Sequence, residues 1–428
     1  MPVDAGTAED KNAPAQVTKA CAREGRKAGW TGPPTTLPPA SRFYQSREVI
    51  MATGERDPAR AYRKLGVNPI IVATGATTRL GGTRTRQEVL DVMAEAATVL
   101  VDVVELNQKA GEVIARITGA EAGFVCSGAA GGLLLQALAC IAGNDPVRMQ
   151  RLPDTEGMKD EIVIQNMHRF PYDQAYRAGG GKLVGVGGGR RCLAWELEGA
   201  INERTAAVAY LCAPTTDRRA LPLEEVCLIA HRHGVPVIVD AASMLPPRKN
   251  LRRHIGEGAD MVVYSGGKGV RGPQGTGILC GRKDLIEAAA ANASPNQFLG
   301  RPAKVTKEEI VGLITALEIF VEEDEEKETL EYRRIAQEVV DALAEFPGLE
   351  VTLEHDDFDY LTPTAVMRFT EQWRGPSRSQ VAAAVEKGEP AIHLHQLGRP
   401  DELAVSPLNL LDDEVPTLVR RLREELLR

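Results

Sequence analysis

Lys268 stands in SGGKGVRGPQGTG, residues 265–277, among glycines and directly after the apolar run Met261-Val262-Val263-Tyr264. So few neighbouring side chains shield this lysine that a close approach by a ligand is expected. A desolvated amine is a nucleophile able to form an imine with an aldehyde; the alternatives are an anion-binding lysine and a solvated loop residue. Asp240 ends the apolar stretch Pro236-Val237-Ile238-Val239. A carboxylate at the carboxyl end of a strand in an open α/β sheet points into the ligand crevice, although it would equally suit a helix cap. CSGAAGG, Cys126 to Gly132, lies between a strand-like and a helix-like segment. Its small residues would let backbone N–H groups reach an anion at a helix N-terminus, or simply make the tight turn of a packed α/β unit.

Each feature alone is weak, and the three in this order are much stronger. An anion cradle, a strand-end aspartate and a lysine after the next strand are what pyridoxal 5'-phosphate (PLP) requires. The cradle would anchor the phosphate, Asp240 would keep the pyridine nitrogen protonated, and Lys268 would hold the aldehyde. His168, in NMHRFPYDQAYRAGG after the strand-like EIVIQ, is expected at the same crevice edge. There it would stack on the ring or donate to the substrate, unless it is a satisfied loop histidine. Ser243, Ser265 and Thr276 offer hydroxyls to the cofactor, with Ser265 best placed by its spacing from Lys268. Arg79 in TTRLGG and Arg271 in GKGVRGPQG are candidates for an anionic substrate group, or solvated surface arginines. His231 and His233, near a helix C-terminus in HRHG, read as structural.

The elements that must position these groups are legible in outline. Apolar β-prone runs at 123–126, 161–165, 182–187, 207–213, 236–241, 261–265 and 276–281 alternate with helical segments at 131–143, 193–201 and 223–234. Strands apolar throughout and separated by helices predict a mostly parallel sheet covered on both faces, the core of a large α/β domain. Residues 84–116 predict one or two helices before it, and 307–345 one long helix after it. The remainder reads as a small α+β domain. The expected divisions are a flexible tail over 1–57, rich in Pro, Ala, Thr and Lys, a large domain over 58–305, and the long helix with the small domain over 306–428. Met51, where helix-like patterning begins, is an alternative start of the native chain.

Composition narrows the partners. A 428-residue chain with 43% hydrophobic and 26% charged residues can bury a large core. A formal net charge of −8 gives no general attraction to nucleic acid or to an anionic membrane. Seven scattered cysteines without a C-x-x-C pair suggest neither a disulfide framework nor a zinc site. No apolar run is long enough to span a bilayer and no signal core opens the chain; the expected location is cytoplasmic.

VCSGAAGGLLLQALAC, HRFPYDQAYRAGG, VIVDAAS and SGGKGVRGPQGTGIL, with TTRLGGT and ELNQKAGEVIARITGAEAGF, resemble a family of fold-type-I PLP enzymes. That family contains bacterial L-seryl-tRNA(Sec) selenium transferase and the D-glucosaminate-6-phosphate ammonia-lyases, and the resemblance runs from about residue 61 to the C-terminus. It implies that Lys268 is the Schiff-base residue, that Asp240 pairs with the pyridine nitrogen, and that Ser127, Gly128 and Ala129 bind the phosphate. The fold type also implies a homodimer or larger homo-oligomer with sites across the interface, Thr276 then serving a neighbour. In many such enzymes a small-domain arginine clamps the substrate carboxylate; the corresponding segment here, PAIHLHQLGRP, offers His393, His395 and Arg399. The expected activity is α,β-elimination on a small β-hydroxy amino acid or an amino sugar acid. A transferase or racemase, including seryl-tRNA selenation, is the alternative. A cofactor-binding regulator would want a helix-turn-helix module, and none is evident.

Overall fold

A computed structural model of the chain describes residues 57–214, 219–396 and 399–428. The tail expected over 1–57 therefore lies outside the described residues, apart from Asp57. Residues 62–428 form one unit by their contacts. Its strands are β1 (Ile71–Ala73), β2 (Ala122–Ser127), β3 (Glu161–Gln165), β4 (Lys182–Val186), β5 (Thr205–Leu211), β6 (Val237–Asp240), β7 (Met261–Ser265), β8 (Thr276–Gly281), β9 (Leu349–Glu354), β10 (Thr364–Phe369), β11 (Ile392–Leu394) and β12 (Glu402–Val405).

Seven strands form the main sheet in the order β2-β8-β7-β6-β5-β3-β4. β4, β3, β5, β6 and β7 pair in parallel, whereas β8 runs antiparallel to both β7 and β2. The apolar runs follow from burial on two faces. Val237, Val239, Val262 and Tyr264 face one core with helices Val103–Thr118, Leu223–Arg232 and Lys307–Glu322. Ile238, Met261 and Val263 face the other, with helices Gly128–Ala142 and Lys283–Asn292. These strand side chains are fully buried, and each such burial contributes roughly 1.5–3 kcal/mol.

The antiparallel β8 decides where Lys268 sits. A parallel successor to β7 would need a helical crossover; an antiparallel one lets residues 266–275 turn back at the carboxyl edge of the sheet. At that edge the register aligns Leu211 with Asp240, Asp240 with Val263, Ser265 with Gly277, and Ser127 with Thr276. The strand order also reverses here, because β4 lies on one side of β3 and β5 on the other. Open α/β sheets hold ligands at such a switch point.

Strands β12-β10-β9 form a second, antiparallel sheet packed with the helices Glu325–Leu343 and Val415–Leu426 around a third core. β1, which the sequence assigns to the large domain, pairs in parallel with β11, Ile71 opposite Ile392. Residues 307–345 form two helices, Lys307–Glu322 and Glu325–Leu343, where one was expected. Glu323 is extended, and the Asp324 carboxylate accepts from the N–H groups of Glu326 and Lys327, which restarts the helix. The preceding segment, 84–116, holds the two helices Gln87–Ala96 and Val103–Thr118.

Candidate active site

The carboxyl edge of the main sheet opens into a cavity of about 1070 Å³. Residues following β3, β4, β5, β6 and β7 line it, together with residues 74–79 and segments around 359–364 and 406–408. Lys268, Asp240, Ser243, Arg79 and His395 are on its wall.

The glycines around Lys268 have a reason that the sequence alone did not disclose. A Cβ on Gly267 would stand 2.4 Å from Gln274 Cα, and one on Gly269 2.3 Å from the Leu245 carbonyl oxygen. The close approach is thus by the protein's own backbone, which fixes the turn that presents the lysine. The Lys268 carbonyl accepts from the Arg271 N–H at 2.9 Å and from Thr83 Oγ1 at 3.0 Å. Among the described residues its Nζ has no hydrogen-bond partner. Burial pushes the Lys268 amine below the usual lysine range, while the nearby Asp240 charge acts in the opposite sense.

Asp240 does not cap a helix, since the next one begins only at Asn250. Its Oδ1 accepts from the Ala242 N–H at 3.0 Å, which orients the carboxyl at the cavity wall. Burial raises its pKa; the Ala242 N–H and the Lys268 charge act against that. An acid and an amine that influence each other electrostatically therefore share one cavity.

Ser127 to Ala129 are half-buried where the helix Gly128–Ala142 starts. Ser127 makes no side-chain cap, and Gly128 has φ 62° with open space where a Cβ would be. The first N–H groups of this 15-residue helix therefore receive no side-chain cap from Ser127, the arrangement in which a helix start can accept an anion. This loop is not part of the cavity wall, although register puts it at the same sheet edge. These features fit PLP: an amine for the aldehyde, a carboxylate for the ring nitrogen and an open helix start for the phosphate.

Several expected residues are placed differently. His168 is buried, at 1% exposure, and is absent from the wall of the large cavity. It lines a small adjoining cleft with Asp240, Tyr176 and Tyr210. Its Nδ1 accepts from the Leu211 N–H at 3.5 Å, its ring meets Tyr210 edge-on at 4.4 Å, and among the described residues Nε2 has no hydrogen-bond partner. Burial lowers its pKa to about 4, so the imidazole is neutral at physiological pH. Thr276 is fully buried, and its Oγ1 donates to the Pro273 carbonyl at 2.7 Å. Ser265 is half-buried and not on the wall.

Arg271 also misses the cavity, because its guanidinium is already engaged by Tyr332, the Leu408 carbonyl and Glu328. Arg79 does reach the cavity, at 71% side-chain exposure, and pairs loosely with Glu386 at 3.4 Å. Of the three small-domain candidates only His395 reaches the cavity; His393 pairs with Glu386 and Arg399 with Glu402. His231 and His233 hold Asp260 and Glu198, as structural residues would. Sequence reasoning missed Asn166, Tyr360 and Ser406 on the wall. They sit in irregular connections and carry no periodic signal. Among the described residues no cluster suited to a metal is present, and no helix is long and apolar enough to cross a membrane.

Comparison with known proteins agrees with this architecture. The family described as L-seryl-tRNA selenium transferase, SelA, matches residues 84–346. A 5'-C-glycyluridine monooxygenase-decarboxylase from a Streptomyces species is 36% identical over 377 residues, covering 86% of this chain and 92% of the relative. D-glucosaminate-6-phosphate ammonia lyase of Salmonella typhimurium is 33% identical over 373 residues, covering 85% and 97%. The solved structure of a D-glucosaminate-6-phosphate ammonia-lyase superposes with a TM-score of 0.75 at 31% identity, covering 86% of this chain and 98% of the other. The chain belongs to the SelA family of PLP-dependent enzymes and has the type I fold of that class.

Proposed function

We propose that the enzyme catalyses α,β-elimination on a small β-hydroxy amino acid or an amino sugar acid such as D-glucosaminate or its 6-phosphate. The observation that carries this reading is the placement of the Lys268 amine and the Asp240 carboxylate on one cavity wall, within electrostatic reach of each other, in a chain 33% identical to an ammonia lyase. PLP, when bound, supplies an electron sink for the charge left at the substrate Cα. Lys268, its pKa lowered by burial, is the base that takes the Cα proton. Asp240 keeps a negative charge beside the ring nitrogen, and Ser127, Gly128 and Ala129 hold the phosphate. Ser243, Ser265 and Arg79 are assigned to cofactor and substrate contacts around them. His168 acts from behind the wall as a neutral group. The β-hydroxyl leaves as water, and hydrolysis of the resulting enamine gives a 2-keto-3-deoxy acid and ammonia, so the net change is loss of ammonia.

A second reading, oxidative decarboxylation of an amino acid, is favoured by the 36% identity to the monooxygenase-decarboxylase. Incubation of the PLP-loaded protein with D-glucosaminate, its 6-phosphate and a panel of β-hydroxy and sulfur amino acids separates the two. Ammonia with a 2-keto acid supports elimination; oxygen uptake with carbon dioxide release and no ammonia supports the other. Selenium transfer to seryl-tRNA ranks lower, because each phosphate contact needs a cation and the chain carries −8. Tight, salt-sensitive tRNA retention on a filter would reverse that ranking. A homodimer or larger assembly is part of the proposal, supported by the exposed apolar residues Val99, Leu100 and Val101.

A further inference from the structure

Arg271 is, among the described residues, the one non-glycine with a left-handed backbone, at φ 59°. That conformation costs free energy in any residue with a Cβ, and glycine would take it without penalty. The side chain shows what the strained position achieves. Nη2 donates to Tyr332 Oη at 2.7 Å and to the Leu408 carbonyl at 3.3 Å, and lies 3.7 Å from Glu328 Oε1. Tyr332 Oη in turn donates to Glu328 Oε1 at 2.7 Å. The Arg271 backbone N–H meanwhile holds the Lys268 carbonyl.

One residue thereby joins the lysine turn to the helix Glu325–Leu343 and to Leu408, itself on the cavity wall. The same neighbourhood is tied from the other side. Thr83 Oγ1 donates to the Lys268 carbonyl, and Asn409 Nδ2 donates to the carbonyls of Gly75 and Gly82 at 3.0 Å each. Three irregular segments, 74–83, 266–274 and 406–409, are stitched into one wall.

We infer that Arg271 is a positioning residue that locks the Lys268 turn to the C-terminal part of the cavity wall. It rests on the reading of Lys268 as the cofactor lysine. The guanidinium is not a substrate contact; it fixes the stem from which the amine reaches the cofactor.

Two variants test it in the full, PLP-loaded chain. Arg271→Gly releases the backbone strain and deletes the fork; Arg271→Lys keeps the charge and the strain but not the planar fork. Both are expected to carry PLP on Lys268 and to release it into cofactor-free buffer at least tenfold faster than the wild type. The Arg271→Gly apoprotein should melt within a few degrees of the wild type, because strain relief offsets lost contacts. Arg334→Ala, which removes an exposed fork from the same helix, should leave release unchanged. Release within twofold of wild type in both Arg271 variants overturns the inference, as does equally fast release in Arg334→Ala. Reductive trapping of PLP on a lysine other than Lys268 would instead overturn the reading of the site.

Discussion

Replacing Asp240 by asparagine isolates the charge from the shape of the group. The amide keeps an oxygen for the Ala242 N–H, now accepted at 3.0 Å, so the turn after β6 survives. On the proposed reading, what is lost is a negative charge beside the ring nitrogen of bound PLP. For contact at about 4 Å and an effective dielectric of about 20, the interaction is about 4 kcal/mol, equivalent to about 3 pK units on the nitrogen. A retained neutral hydrogen bond returns about 1 kcal/mol. The net loss of about 3 kcal/mol predicts a kcat lower by roughly 100-fold, with PLP still bound.

A second readout comes from stability. Burial raises the Asp240 pKa, so in the apoprotein this group stabilises the fold below its unfolded value, and that stability is lost as pH rises through the folded value. Asp240→Asn apoprotein should therefore match or exceed the wild-type melting temperature at pH 7 and lose that advantage towards pH 4. The assays are steady-state turnover, cofactor absorbance and apoprotein melting at the two pH values. Turnover within threefold of wild type in a PLP-loaded Asp240→Asn enzyme would rule out a charge role for Asp240 and leave it a purely local turn residue.

Two further expectations follow from the site. His168 is neutral down to about pH 4, whereas in the unfolded chain it protonates near pH 6.5; its contribution, about 3 kcal/mol, is present above that value and lost as pH falls towards 4. His168→Gln should flatten this part of the apoprotein stability curve, measured by urea unfolding at several pH values. Gly267→Ala forces a Cβ against Gln274 Cα and should cost about 1–3 kcal/mol by overpacking, read as a lower denaturation midpoint, with weaker retention of PLP.

The strands of the main sheet were legible because two-faced burial writes an unbroken apolar run, as in Val237-Ile238-Val239. Asp240 and Lys268 were legible because a polar group directly after such a run has to emerge at the sheet edge. The break at Glu323–Asp324 was not, since the acidic run EEDEE suits a solvated helix as well as a new N-cap. The pairing of β1 with β11 joins residues more than 300 positions apart, which no local pattern encodes. Arg271 was misread for a related reason. Its partners Tyr332 and Leu408 are far along the chain, and only the fold reveals that the guanidinium is committed. His168 emerged behind the cavity instead of on it because burial against Tyr210 is a packing outcome.

Every role proposed for the cavity residues depends on Lys268 as the residue that carries the cofactor. The direct measurement is reduction of the purified, PLP-loaded protein with borohydride, followed by proteolysis and mass spectrometry of the peptide spanning SGGKGVRGPQGTG. The predicted result is a phosphopyridoxyl group on Lys268, absent from Lys268→Ala. Modification of another lysine, or none on a protein that has bound PLP, would contradict the account.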